Sequence, residues 1–446
     1  MKEKMFNRAL RYFRRGDGHM REIVDSALVA FGIKVVAAAV TFGLYVLLAR
    51  LLGASGAGLY FLSLSIVSVL AAVGRLGMDS PLTRFVAAHA TAGEWSHVHG
   101  VFRLSLRTAL LSATSFAVLA FTLAPWLAQN VFEKPELAPI LRTMAVALVP
   151  VTISVLFSKA LQGLKRIPDA MLILSVWAPL FTMSALPILV PRWGALGAAW
   201  SYCLGALVAL AVAVARWRSA TAGTVPNEVS FPPGRLRASS VPLLAATGLQ
   251  MVMQWSPMLI LGPYVSASEM GVFGSAQRAS MLLTLILVAV NSIAAPKFAA
   301  FHSSGQLSEL GHVAQRSTVL MIAAALPLFL IFLLVPGWVM GIFGEEFIEG
   351  STVLTILAIG QFANVIGGSI GTLLLMTGNE KPYYTAFLFA AIVNVGLCLA
   401  LIPGMGAVGA AIAAAVAVGV VNVLCVYFAW NSVGITTIPL LSKAKP

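Results

Sequence analysis

Pro191-Arg-Trp-Gly194-Ala-Leu-Gly197-Ala-Ala199 recurs as Pro403-Gly-Met-Gly406-Ala-Val-Gly409-Ala-Ala411, 212 positions further along the chain. In both copies an apolar run ends near a proline, small residues turn the chain, and a second apolar run begins. Gly and Pro are the strongest local breakers of regular structure. Other matches keep the same step. Gly58-Leu59-Tyr60 corresponds to Gly271-Val272-Phe273, and Pro81 before Arg84-Phe85 to Pro296 before Lys297-Phe298. Trp126 answers Trp338, and Gln162-Gly163 with Pro168 answers Thr377-Gly378 with Pro382; the offsets run from 212 to 215. A steady offset over most of a chain marks an internal duplication.

The runs between these landmarks define the class. Of 446 residues, 59% are apolar and 10% charged, with mean hydropathy +0.92. Soluble domains carry about 25% charged residues, so a soluble enzyme, a disordered regulator and a coiled coil are excluded. A β-barrel would show period-2 alternation in short segments, which the Leu-, Ala- and Val-rich runs lack. A crossing helix needs about 20 apolar residues. Twelve such windows are read, near 24–50, 57–79, 104–129, 138–161, 169–190, 194–215, 240–262, 271–294, 316–342, 351–376, 383–402 and 406–429. The expected fold is an all-α polytopic membrane protein with two six-helix bundles. Six spans per half is an even number, so a pseudo-two-fold axis along the membrane normal relates the halves. The expected parts are a basic N-terminal segment 1–22, a first bundle 23–216, a linker 217–239 containing Pro232-Pro233-Gly234, a second bundle 240–430 and a tail 431–446. No loop is large enough to fold as a domain.

The net charge of +13 is mostly a topology signal. On the expected spans, 23 of the 29 Lys and Arg residues fall on the side of the N-terminus, four on the other side, and two, Lys34 and Arg278, within spans. Positive residues stay inside, so both termini are expected in the cytoplasm, and no nucleic-acid partner is expected. Residues 1–15 place Met5, Phe6, Ala9, Leu10 and Phe13 at helical spacing among Lys and Arg. They read as an interfacial helix on an anionic leaflet or as a basic tail. Cys203, Cys398 and Cys425 lie in apolar runs without metal-ligand spacing and read as packing residues.

The stretch Leu48-Ala-Arg50-Leu-Leu-Gly53-Ala-Ser-Gly56-Ala-Gly58-Leu-Tyr60, with Arg75-Leu-Gly77-Met-Asp79 and Arg84-Phe85-Val86, resembles the polysaccharide flippases of the multidrug/oligosaccharidyl-lipid/polysaccharide exporter superfamily. The Gly163…Pro168 and Gly194…Gly197 segments and their second copies resemble it too. The resemblance covers nearly the whole chain. It implies a flippase of the cell inner membrane that moves a polyprenyl-diphosphate-linked oligosaccharide to the outer leaflet by alternating access. Polysaccharide biosynthesis of the lipopolysaccharide type would use it, beside a polymerase and sugar transferases. Relatives in the superfamily flip lipid II or export cationic drugs, and both remain alternatives. A membrane polymerase or ligase is a further alternative, but the outer loops are too short for its catalytic residues. Action as a monomer is expected, with no cofactor.

Ionisable residues at bilayer depth cost at least about 2.5–3.5 kcal/mol on insertion scales and are functional candidates by default. Lys34 lies near the middle of the first span, with Thr41 and Tyr45 on its face. Ser65, Ser68, Arg75 and Asp79 share a face of the second. Gln250 and Gln254 precede Pro257 in the seventh, and Gln277-Arg278 lies in the eighth. Lys34, Arg278, Arg75, Gln250 and Gln254 are the candidate substrate-binding residues, with Lys34 and Arg278 gripping one ligand from facing halves. Pro257, which removes a backbone hydrogen bond, is the candidate gating residue. No Asp or Glu lies deep in a span. Buried cations without buried carboxylates favour an anionic ligand such as a diphosphate, whose oxygens accept charge-assisted hydrogen bonds.

Other motifs carry less. The glycines from Gly53 to Gly58 lack the Lys-Ser/Thr of a P-loop and read as a turn. His89, His97 and His99 near Glu94 read as a solvated loop without metal. No catalytic arrangement is assigned.

Overall fold

The computed structural model describes the backbone of residues 18–224, 231–435 and 437, and side chains from residue 32 onward. The expected interfacial segment 1–15 lies outside the described residues. Regular structure among them is entirely helical. The first half comprises α1 (Gly18–Gly74), α2 (Asp79–Thr91), α3 (Trp95–Trp126), α4 (Leu137–Val146), α5 (Leu148–Gly163), α6 (Ile167–Leu172) and α7 (Ala178–Ala220). The second comprises α8 (Pro233–Leu261), α9 (Ala267–Ser280), α10 (Leu282–Ser303), α11 (Leu307–Leu334), α12 (Pro336–Gly341), α13 (Ser351–Gly367), α14 (Ile370–Met376) and α15 (Glu380–Val433).

Nine apolar helical stretches among the described residues are long enough to cross a bilayer, and three of them, 43, 54 and 54 residues long, exceed a single crossing. Each of the three breaks once at a glycine in the left-handed region: Gly53 (φ 66°) in α1, Gly194 (φ 53°) in α7 and Gly406 (φ 51°) in α15. Only glycine takes this backbone without steric cost. The chain doubles back there. Tyr45 and Phe61 have ring centroids 5.8 Å apart, whereas sixteen residues of straight helix would separate them by about 24 Å. A Cβ on Gly197 would strike Leu189, and one on Gly409 would strike Leu401. The two copies of the opening motif thus make the same hairpin, and twelve crossings in two lobes result.

Several spans differ in detail from the expectation. The window 351–376 is broken at Gly368 (φ 66°), which packs on Thr318 and separates α13 from α14. The window 271–294 is interrupted at Met281, three residues after Arg278. The second span ends at Gly74, where Leu76 and Gly77 turn left-handed. The stretch between the bundles is shorter than expected, because α7 runs to Ala220 and α8 starts at Pro233.

The lobes meet where the second arm of α1 crosses α9. Gly58 lies against Ala267 and Gly271, and Gly271 lies against Ala54 and Gly58. Small residues let helix backbones approach this closely in membranes. Tyr60, Phe61, Phe273 and Phe343 are buried around the crossing.

Charged side chains fasten the end expected to face outward. The Arg50 Nε–H donates to the Ile342 carbonyl at 2.8 Å, and the Ala54 N–H donates to the Glu346 carboxylate at 2.8 Å. Lys134 Nζ donates to the Gly262 carbonyl at 2.8 Å, and burial holds this ammonium below its usual range. Glu269 accepts the Ala407 N–H at 2.7 Å. The two glutamates sit at helix starts created by the Gly53 and Gly406 breaks, where exposed N–H groups favour an anion.

Candidate functional site

A cavity of about 410 Å³ opens between the lobes. The first lobe supplies most of its wall, including Thr41, Tyr45, Tyr60, Ser68, Thr182 and Tyr202; the second supplies Gln254, Trp255, Gln277, Arg278 and Met281. No Asp or Glu is among the lining residues.

Arg278 dominates the electrostatics. It is only 8% exposed, so its charge is almost fully removed from solvent. Its guanidinium carbon lies 3.7 Å from the Phe61 ring centroid and 4.4 Å from that of Tyr45. Aromatic faces attract a cation, by about 2 kcal/mol or more when desolvated. Nη1 donates to the Gly274 carbonyl at 2.8 Å, one turn back on α9, while the buried Nε has no partner. Among the described residues no carboxylate forms an ion pair with it. Rings of the first lobe therefore hold a cation of the second, with a donor unused. A buried donor left unmatched costs about 1–3 kcal/mol.

The other expected residues divide. Gln254 lines the cavity, and Gln277 Nε2 donates to the Gln254 carbonyl at 3.4 Å. Thr41, Tyr45 and Ser68 also line it, as the helical faces imply. Gln250 is exposed and lies outside the cavity lining, one turn before Gln254. Arg75 is outside it as well, because Asp79 claims it: Nε donates to both carboxylate oxygens at 3.0 Å and Nη1 to the Ala71 carbonyl at 2.9 Å. A paired arginine at a helix end has no charge to spare, so Arg75 leaves the candidate set. Ser65 bonds the Leu62 carbonyl instead of facing the cavity.

Lys34 and Arg278 do not line one cavity. Lys34 borders a second, largely apolar space of about 820 Å³ with Val35, Leu282, Ile286 and Ala324. A small space of about 120 Å³ lies between the two, sharing Tyr45 and Arg278 with the first and Ala38 and Leu285 with the second. The two cations thus line neighbouring spaces and do not meet as a clamp.

Pro257 does not break α8, which continues to Leu261 without a non-helical residue. Proline leaves the carbonyl four residues back without its donor. That carbonyl, of Met253, accepts from Asn394 Nδ2 of α15 at 3.4 Å, and the same amide donates to Ser256 Oγ at 3.0 Å. Asn394 is fully buried. The sequence reading missed it, together with Tyr60, Tyr202 and Trp255. The tyrosines follow the glycine motifs closely enough to have been suspected; Asn394 carries no local signal.

A match to known families covers the site and both lobes. The polysaccharide biosynthesis protein family matches residues 23–302, more than half of the chain. The chain belongs to the polysaccharide biosynthesis protein family. The MatE family also matches this polysaccharide biosynthesis protein, over residues 242–400. The probable low-salt glycan biosynthesis flippase Agl15 of Haloferax volcanii is 23% identical over 417 residues, covering 93% of this chain and 85% of its own. The fold is that of an inward-facing multidrug resistance MATE transporter of the MOP superfamily, with TM-score 0.72 at 17% identity over 94% of this chain and all of the other. The inward-closed lipid II flippase MurJ gives 0.70 at 12% identity, over 89% and 87% of the two chains. The polysaccharide biosynthesis protein described here is a multi-pass membrane protein that shares the fold of those two structures.

Proposed function

We infer that this protein is a flippase for a polyprenyl-diphosphate-linked oligosaccharide, working by alternating access between its two lobes. The observation that carries the reading is Arg278: a buried guanidinium in the interlobe cavity, with an unused donor and no carboxylate among the cavity's lining residues. A diphosphate supplies the missing acceptors through charge-assisted hydrogen bonds. Gln254 and Gln277 offer amide groups suited to hydroxyls next to that charge. The apolar space that Lys34 borders suits the first isoprene units, and the remaining tail stays in lipid. The name of the Haloferax relative, a glycan biosynthesis flippase, supports a glycan cargo. The inner membrane is the expected location, with both termini cytoplasmic by the distribution of Lys and Arg.

Export of cationic drugs fits this cavity poorly, since its one full charge is positive. Lipid II shares the diphosphate, and the glycan must separate the two readings. The test is flipping in proteoliposomes of three probes: a polyprenyl-diphosphate oligosaccharide, the same glycan on a polyprenyl monophosphate, and lipid II. The expected order places the first probe ahead of the others, with Arg278→Met reducing its transport to near background. Equal transport of monophosphate and diphosphate lipids, or an unaffected Arg278→Met variant, overturns the reading.

A further inference from the structure

The turn between α2 and α3 gathers three side chains that transport does not use. His89 lies in the last turn of α2, Glu94 immediately precedes α3, and His97 lies in its first turn. Gly93 (φ 74°) turns the chain, and the Glu94 N–H donates to the His89 carbonyl at 2.8 Å, so the backbone sets the spacing. Both histidines present Nδ1 to one oxygen. His89 Nδ1 lies 2.6 Å from Glu94 Oε2 and His97 Nδ1 lies 3.6 Å from it. The two rings stack with centroids 4.9 Å apart and planes at 14°.

Two ring nitrogens converging on one carboxylate oxygen need protons or a cation between them. Neutral rings with lone pairs aimed at the anion repel it. One proton serves the shorter contact and leaves the longer one unsatisfied. Two neutral rings with Nδ1–H supply two donors, yet His97 at 3.6 Å stands beyond hydrogen-bond length. A single divalent cation satisfies both nitrogens and the oxygen together. Metal–ligand distances of about 2.0–2.2 Å place tetrahedral neighbours roughly 3.4 Å apart; the three ligand atoms lie within 4.8 Å of one another, and closing on one ion requires the exposed carboxylate to rotate and the stacked rings to turn out of parallel.

We propose that His89, Glu94 and His97 form a divalent transition-metal site of the zinc class. Two imidazoles with one carboxylate suit zinc, copper or nickel and not magnesium or calcium, which prefer oxygen donors. The side chains are 21%, 49% and 41% exposed, leaving room for water to complete the coordination. His99 is not a ligand, since its Nε2 bonds Thr224 Oγ1 at 2.9 Å. His89 also meets the Phe231 ring edge-on, with centroids 6.0 Å apart. The metal therefore fixes the turn against the segment that leads into the second lobe.

The experiment uses the full chain in nanodiscs, carrying a tag without histidine and stripped by a chelator. Zn²⁺ titration by calorimetry is expected to show one saturable site per chain that Mg²⁺ does not fill. His97→Ala and Glu94→Gln each weaken binding by about tenfold or more, while His99→Ala leaves it unchanged. Co²⁺ substituted at the site gives visible ligand-field bands that disappear in His89→Ala/His97→Ala. A double variant that binds Zn²⁺ as the wild type does, or a wild-type chain without a saturable one-to-one site, overturns the proposal. Neither result bears on Arg278 and glycan transport.

Discussion

Gly58 and Gly271 touch each other across the lobe interface, and each occupies the place in its own half that the other occupies in the second. A Cβ on Gly58 would strike Ala267, 213 positions after Ala54, and a Cβ on Gly271 would strike Ala54 itself. The reciprocal contact places the pseudo-two-fold axis between these two residues. Two arms bearing Cβ atoms could not cross this closely.

Gly58→Ala and Gly271→Ala are accordingly expected to destabilise the folded protein by about 1–3 kcal/mol each, the usual cost of overpacking. Thermal unfolding in one detergent measures this. Gly248→Ala is the control, since a Cβ there meets nothing within 4 Å. A Gly58→Ala protein that melts with the control would refute a packed crossing.

Arg278→Lys should keep part of the transport, because a charge remains, and Arg278→Met should lose nearly all of it at normal membrane levels. Hydrogen bonds to a charged group are worth about 1.5–3 kcal/mol, so roughly ten- to a hundredfold weaker binding is expected. Lys34→Met should have a smaller effect, since Lys34 borders a different space. Glycan export in a deletion strain, normalised to protein level, ranks the three. Lys34→Met as damaging as Arg278→Met would restore the clamp that the geometry separates.

Pro257 and Asn394 should be energetically coupled. Asn394→Ala leaves the Met253 carbonyl bare in the wild type and costs about 1 kcal/mol. With Pro257→Ala, the new N–H takes that carbonyl and the cost falls. Strict additivity in the double-mutant cycle would remove the link. Pro257→Ala alone is expected to slow transport without unfolding the protein, and a wild-type rate would count against a gating role.

Membrane orientation is accessible to cysteine labelling. Ser219→Cys should react only from the cytoplasm and Glu349→Cys only from outside; both positions are exposed. Reaction of position 219 with an impermeant reagent in intact cells reverses the assignment.

The architecture was legible because its determinants are local. Gly194 and Gly406 announce their hairpins within nine residues, and apolar length counts the crossings. Arg278 was legible for the same reason: an arginine inside an apolar run stands out. What could not be read was pairing. Whether Arg75 faced the cavity or Asp79 depended on side-chain geometry at the end of α1, and both options satisfy the same spacing. The Asn394 bond to Met253 joins residues 141 positions apart, and a single buried Asn in an apolar span names no partner. The separation of Lys34 from Arg278 depends on how α1 leans against α10, which periodicity does not encode.

The seat of Arg278 has a consequence for an empty carrier. Its guanidinium belongs to the second lobe, but Phe61 and Tyr45, whose rings it faces, belong to the first. Any movement that draws those spans apart strips the cation of both rings in a poorly hydrated place. On the proposed reading, an occupied cavity would lose less, because an anionic headgroup travelling with the guanidinium would replace the aromatic faces. On that reading the arrangement would act as a pawl, resisting futile turnover and yielding when cargo is aboard.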